Sequence, residues 1–413
     1  CPIPILICVC FWAECSALDR GFRNARNSDT QVHEWTISKL LSTPPSRVFP
    51  PWRQPFPCHP SNTTQRFDGN TAAAFEEWLN VSESTKKGIL YVKIPKCASS
   101  TLAGIANRIA HRHSNVTTRC HVWFEHLRGE MFGNRDLENS FLWTMVREPV
   151  KRSMSSIFFF HVGRNGMLST NRNIRRKLKE LSSTRPGRPL LGGYQLRFLQ
   201  TKDMLKDFEI SSAQLELLPN IVARVLADYN FIGVVERFNE SLVVLKLLLG
   251  LDFGDILYMS SKRSGNYADD GMGRCVKSPE SFVSPNVHSF LDSPEWRHSN
   301  VGDYLLYAAA NQSLDATIEK LGRRNFDKEL KAFTTLLARA QKTCYDQAFF
   351  PCSDHGVRQV EKAQTSCYVK DAGCGYRCLD QVAPPHPRTK GRSRYQSTGM
   401  WGNWGGKGRG RGR

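Results

Sequence analysis

The stretch Ile89–His113, ILYVKIPKCASSTLAGIANRIAHRH, decides how the rest of the chain is read. Ile89 to Ile94 is apolar and rich in β-branched and aromatic residues, the composition of a buried strand. Pro95 stops it. Lys96, Cys97, Ala98, Ser99, Ser100 and Thr101 then make a short turn of small and hydroxyl side chains. Leu102, Ile105, Ala106 and Ile109 follow at helical spacing. A strand that turns tightly into a helix aims backbone N–H groups, and the positive end of the helix dipole, at one spot, which suits a phosphate-like anion. Lys96 adds a full charge there, and the hydroxyls of Ser99, Ser100 and Thr101 add donors. The order G-x-x-x-x-G-K-[ST] is absent, and the lysine precedes the small residues, so a Walker-type ATPase is disfavoured. An ordinary strand–turn–helix with a serine cap accounts for the same residues without a ligand.

A second stretch favours the anion site. Phe141 to Val146 (FLWTMV) is strand-like and runs directly into Arg147-Glu148-Pro149-Val150-Lys151-Arg152-Ser153-Met154-Ser155-Ser156. Pro149 suits the first turn of a helix. Arg147 falls at the strand's end, where open α/β sheets bind ligands. Ser155 lies about two helical turns further on.

Together these stretches resemble the two nucleotide-binding motifs of sulfotransferases that use 3′-phosphoadenosine 5′-phosphosulfate. KIPKCASST resembles the loop that holds the 5′-phosphosulfate, and VREPVKRSMSS the segment that holds the 3′-phosphate. EHLRG (Glu125–Gly129), VVERFNESLVVLKLLLG (Val234–Gly250), DILYM (Asp255–Met259) and ANQSLDATIEKLG (Ala310–Gly322) extend the likeness. It is greatest to the Golgi galactose 3-O-sulfotransferases, more distant to the heparan sulfate 2-O-sulfotransferases, and covers roughly residues 85–380. The resemblance implies an α/β fold: a P-loop-NTPase-like parallel sheet flanked by helices, here with a Cys-rich C-terminal extension. It implies Lys96, Cys97, Ala98, Ser99, Ser100, Thr101, Arg147 and Ser155 as donor-binding residues, with Lys96 also catalytic. The loop Ser260–Tyr267 offers Lys262 and Arg263 to close over the nucleotide. A histidine of the resembling families lies 21 residues before the arginine of the second motif. His126 stands at that spacing from Arg147 and His121 does not, so His126 is the expected base, with an unperturbed pKa suited to the task. No metal is implied, because Lys96 and the helix N-terminus supply the positive charge.

Composition adds a compartment. The formal charge of +19 fits an anionic partner without choosing among nucleic acid, acidic lipid, acidic glycan and nucleotide. Thirteen cysteines are unevenly spread, with Cys344, Cys352, Cys367, Cys374 and Cys378 close together. Disulfides are expected over zinc, since no second close Cys/His pair completes a four-ligand site. Five is odd, so one should pair outside the cluster, with Cys275 the candidate, or stay free, while Cys97 should stay reduced. Disulfides require an oxidising compartment. Sequons at Asn62, Asn80, Asn115, Asn239 and Asn311 point the same way, although Asn239 and Asn311 fall at or in helices.

Residues 1–13 are apolar but too short to span a bilayer, and read as the remnant of a signal anchor or, alternatively, as a buried N-terminal strand. Residues 14–84 are Pro/Ser-rich and read as a stem, with a short helix at Ala72–Leu79 leading into the first strand. Residues 85–343 form the catalytic domain, 344–380 the Cys-rich segment and 381–413 a disordered RG-rich basic tail. Within the domain, Asn171–Lys179 is a basic run in which Arg175, Arg176 and Lys177 face an acidic acceptor or only solvent. Tyr194–Leu199 begins a helix on the acceptor side. Pro219–Ala227 reads as a helix, Asn230–Val235 as a core strand and Ser241–Leu249 as an apolar helix. Asp303–Leu321 and Lys328–Gln341 are two more helices. The expected protein is a lumenal Golgi type II membrane enzyme acting on a galactose-containing or acidic glycan, with no nucleic acid partner. A P-loop-type kinase and a nucleic-acid-binding protein using the RG tail are the competing readings.

Overall fold

The computed structural model describes residues 38–54, 56–57, 59–60, 87–113, 118–119, 122–123, 128–182, 193–200, 212–260, 264–269, 274–348, 350, 352–359 and 376–384. Its centre is a four-stranded parallel sheet: β1 (Gly88–Tyr91), β2 (Val122–Trp123), β3 (Ser140–Val146) and β4 (Phe231–Val234). The spatial order is β2-β1-β3-β4, with Ile89 opposite Phe141 and Trp143 opposite Phe231. Every residue of β1, β3 and β4 is buried, which explains why these strands read as continuous apolar runs without alternation. Parallel neighbours need crossovers, and helices supply them.

The helices are α1 (Ser99–His113), α2 (Pro149–Ser156), α3 (Asn171–Ser182), α4 (Tyr194–Leu199), α5 (Leu218–Asp228), α6 (Phe238–Leu249) and α7 (Phe253–Ile256), followed by α8 (Pro285–Leu291), α9 (Pro294–Ser299), α10 (Val301–Leu321), α11 (Arg323–Cys344) and α12 (Tyr376–Val382). Pro149 occupies the first turn of α2, and Glu148 caps it by accepting from the amides of Val150 and Lys151. The α-helical turns of α2 pass without a break into a π-helical stretch, Ile157–Arg164. The helices expected at Pro219–Ala227, Ser241–Leu249, Asp303–Leu321 and Lys328–Gln341 and the core strand at Asn230–Val235 are present with ends shifted by a few residues; α11 begins earlier than expected, at Arg323.

The main core holds β1, β3, β4, α1, α6 and α10. A smaller one gathers Met154, Phe158, Ile174, Leu178, Phe290 and Trp296 beneath α3 and α8. Part of the expected stem belongs to the main core. Phe49 is buried edge-to-face on Phe231 of β4, and the Arg47 guanidinium donates to the carbonyls of Leu226, Ala227 and Tyr229. Phe49 N–H donates to Thr317 Oγ1 of α10. Here the Pro-rich composition builds a strap: its extended backbone spends its donors on side chains of the domain. The helix expected at Ala72–Leu79 lies outside the described residues, as do the apolar N-terminus and the basic tail beyond residue 384; the tail's expected first residues, 381 and 382, instead end α12. No helix among the described residues is long and apolar enough to cross a membrane.

Among the described residues, two disulfides join the C-terminal elements to the domain. Cys344 pairs with Cys378, linking α11 to α12. Cys352 pairs with Cys275, which opens the second strand of the antiparallel pair β5 (Tyr267–Asp269) and β6 (Cys275–Lys277). Cys367 and Cys374 lie outside the described residues.

Candidate functional site

The turn after β1 has an unusual backbone. Lys96 and Ala98 sit at φ 68° and 53°, in the left-handed region that non-glycine residues seldom enter. Such a conformation persists only where the surroundings hold it, and it turns successive amides toward one side of the chain, as anion-binding nests do. The first intrahelical bond runs from Leu102 N–H to Ala98 O, so the amides of the first turn of α1 precede it. Ser99 and Thr101 are nearly buried, and Ser100 is half-exposed. The Lys96 ammonium lies 3.7 Å from the centroid of Phe159 on the π-helical stretch, a cation–π contact that holds it beside the turn. π-helical turns of this kind recur at functional sites.

Arg147 stands at the end of β3, next to β1 in the sheet, and its Nη1 donates to Lys96 O at 3.0 Å. The two segments singled out in the sequence therefore touch. Arg147 Nε makes no hydrogen bond among the described residues and lies 3.9 Å from Glu236 just after β4. Ser155 is half-buried on α2.

A residue that sequence reading missed ties the two segments together. Gln195, on α4, is fully buried. Its Nε2 donates to Arg147 O at 2.7 Å, and its Oε1 accepts from Arg147 N–H at 2.8 Å. The same Oε1 lies 3.2 Å from the Cys97 thiol. One carboxamide thus satisfies both backbone groups of Arg147 and the side chain at the centre of the anion turn. Cys97 is free and buried, and burial pushes its thiol up to about 12, so it is neither a thiolate nor a nucleophile at neutral pH.

Gln195 is itself held. Asp303, buried on α10, accepts from Leu196 N–H at the start of α4. Burial raises the Asp303 carboxyl, while the charge of Arg152 opposes the rise. Gly193 precedes α4 with φ 81°, and a side chain there would run into Asp303. Arg152 is buried with its guanidinium 4.3 Å from the Tyr194 ring centroid. Tyr194–Leu199 is a helix as expected, and it supports the anion turn through Gln195.

The far end of α1 is locked by charge. Arg108 and Arg112 pair with Asp380 of α12, and Arg112 and His113 pair with Asp255 of α7. Burial alone would raise Asp255, but the hydrogen bond and charge of His113, with Arg112, hold it down at about 2. Gly254 is required here, because a Cβ would collide with the Arg112 guanidinium and Ala383 O.

His126, His121, Lys262 and Arg263 lie outside the described residues. No group of three or more potential metal-ligating side chains occurs among the described residues.

The family model described as the sulfotransferase family matches residues 63–254. That segment contains both nucleotide-type turns, Gln195 and the candidate base, and it supports sulfuryl transfer to a sugar-type acceptor. It covers a little under half of the chain and ends before Asp255, so the likeness read over residues 85–380 has family support only in its first part. No curated protein and no solved structure matches the chain.

Proposed function

We propose that the chain moves a sulfuryl group from 3′-phosphoadenosine 5′-phosphosulfate to a sugar hydroxyl, with the 3-hydroxyl of a galactose as the leading acceptor. The observation that carries this reading is the bond from Arg147 to Lys96 O, which sets an arginine-bearing strand end against a strained, lysine-bearing anion turn. The donor supplies an activated sulfur whose leaving group is a phosphate. Lys96 and the first-turn amides of α1 would hold that phosphate and take up its growing charge, the kind of positioning and charge stabilisation that drives phosphoryl transfer. Ser99, Ser100 and Thr101 add hydroxyl donors at the same place. Arg147 and Ser155 would hold the 3′-phosphate, the group that separates this donor from ATP. His126 would take the proton of the attacking hydroxyl, and Lys262 and Arg263 would close over the nucleotide.

The two disulfides fit an oxidising, lumenal setting. On this reading the enzyme works in the Golgi lumen from an N-terminal anchor, and the basic tail takes no part in catalysis.

The test is nucleotide discrimination. A charge-assisted hydrogen bond contributes roughly 1.5–3 kcal/mol, so Arg147→Ala should weaken adenosine 3′,5′-bisphosphate binding at least tenfold and adenosine 5′-monophosphate binding little. Calorimetry on the unaltered chain that gives equal affinities for the two nucleotides would refute the assignment.

A further inference from the structure

Helix α3 presents Arg172, Arg175, Arg176 and Lys179 on one side, because residues three, four and seven apart share a helix face. The opposite side, Ile174 and Leu178, is buried in the smaller core. Between the basic side and Asn286 of α8 runs a groove of about 630 Å³ in which Glu180 is the single acid among the described residues. Glu180 is already engaged by Lys177 at 2.5 Å, so little of its charge is left for the groove.

Two of the cations are held in place. Arg175 Nη1 donates to Asn286 Oδ1 at 3.2 Å and the guanidinium lies 5.8 Å from the Phe290 centroid. Lys179 Nζ lies 5.5 Å from the same ring and 3.5 Å from Glu295. Arg172 and Arg176 are exposed. Arg172 makes no ion pair among the described residues, and Arg176 is only 3.8 Å from the shared Glu180. From Arg172 to Lys179 the helix rises about 10 Å, enough for successive acidic groups of one chain to be met in turn.

Packed elements link the groove's helix to the anion turn. Helix α3 packs on the π-helical stretch Ile157–Arg164, and that stretch carries Phe159 against the Lys96 ammonium. We infer that the groove docks an anionic stretch of the acceptor, a sulfated or carboxylated polysaccharide, at a distance from the reacting hydroxyl. This rests on the sulfuryl-transfer reading and narrows its acceptor from any galactoside to an acidic chain. A single-stranded nucleic acid fits less well: such sites offer exposed aromatic rings to the bases, whereas Phe290 lies buried beneath the cations. An anionic bilayer would be met by apolar side chains among the cations. None lines the groove among the described residues, although Leu168 and Phe282 are exposed outside it.

The experiment compares the full chain with the double variant Arg172→Glu/Arg176→Glu, both changes lying on exposed side chains. Binding is measured to a size-defined sulfated glycosaminoglycan, an uncharged galactan oligosaccharide of equal length, a single-stranded oligonucleotide and phosphatidylserine vesicles. The expected result is glycosaminoglycan binding that weakens with salt and falls at least tenfold in the variant. Thermal unfolding and adenosine 3′,5′-bisphosphate affinity should stay as in the unaltered chain. Equal glycosaminoglycan affinity in both proteins overturns the inference. So does galactan binding as tight as that of the charged glycan, or preferred binding of the oligonucleotide or vesicles that is lost in the variant. A chain that binds the glycosaminoglycan as expected but does not bind the bisphosphate overturns the sulfuryl-transfer reading instead, which keeps the two failures apart.

Discussion

Helix α1 begins in a turn where Lys96 and Ala98 hold φ values of 68° and 53°, and it ends where Arg108, Arg112 and His113 meet Asp255 and Asp380. Both ends gather positive charge, but Glu236 lies 3.9 Å from Arg147 at the near end, whereas the carboxylates sit closer at the far end, at 2.5–3.1 Å. There, Asp255 is buried, and the Cys344–Cys378 disulfide fixes the helix that brings Asp380. At the near end, Lys96 rests on an aromatic ring, and Arg147 is clamped through its backbone by Gln195. The difference teaches which end is structural. The closely paired charges of the far end hold the fold together; on the sulfuryl-transfer reading, those of the near end serve a ligand.

The sharpest way to break this contrast is to remove the acid at the far end. Taking one partner from a buried ion pair leaves the other charged and desolvated, at a cost of about 3–5 kcal/mol. Asp255→Ala should therefore lower the unfolding free energy by that order, read by chemical denaturation. Sulfate transfer per folded molecule should change little. A variant of normal stability that has lost transfer would put the functional end in the wrong place.

At the near end the effect should be reversed. Removing one preorganised group that stabilises transition-state charge typically costs about 10²–10³ in rate. Lys96→Ala should lower kcat by that factor with little loss of stability, because alanine adopts the left-handed φ no more easily than lysine and the lost cation–π contact with Phe159 is worth only about 0.5–1 kcal/mol at a half-exposed site. Single-turnover transfer alongside a melting curve checks both halves.

Much of this contrast is written locally in the chain. The apolar run, Pro95 and the small residues after Lys96 announce a strand, a stop and a turn within a dozen positions, and Pro149 announces the next helix. The cysteine clustering correctly anticipated a partner outside the cluster at Cys275. What joins the pieces is not local. Gln195 is far in sequence from both Arg147 and Cys97, and sits in a helix with no charge pattern to mark it. Asp303, which steadies that helix, comes later still. Phe49 lies in a stretch whose prolines suggest a stem, since composition records chain stiffness and not what the stiff chain packs against. The π-helical turns of IFFFHVGR are hidden because an apolar run has no period from which an extra residue per turn could be read.

The clamp gives a smaller and more selective prediction. Gln195→Ala leaves the N–H and C=O of Arg147 without their partners, and a buried group so stranded costs about 1–3 kcal/mol. Part of that loss should appear as a roughly tenfold weaker affinity for adenosine 3′,5′-bisphosphate, since Arg147 is free to leave Lys96 O. Gln195→Glu separates the two bonds: its carboxylate still accepts from Arg147 N–H but cannot donate to Arg147 O. Intermediate affinity in this second variant supports a positioning role, while identical bisphosphate affinity in all three proteins rules it out.

The smallest effect sharpens the comparison most, because it concerns strain alone. A non-glycine residue in the left-handed region costs about 1–2 kcal/mol, and glycine at such a position returns part of that through greater freedom when unfolded, about 0.4–1 kcal/mol. Ala98→Gly should therefore raise stability by several tenths of a kcal/mol, a shift of about a degree or two in Tm for a domain of this size. If the turn is strained in order to hold its amides ready for an anion, the same change should weaken bisphosphate binding about two- to threefold, because a glycine turn must be ordered at the moment of binding. Stability and affinity would then move in opposite directions, which no substitution at the Asp255 end should produce. A fall in both would mean that the methyl group of Ala98 contributes packing, and that the left-handed turn is a feature of the fold and not of the site.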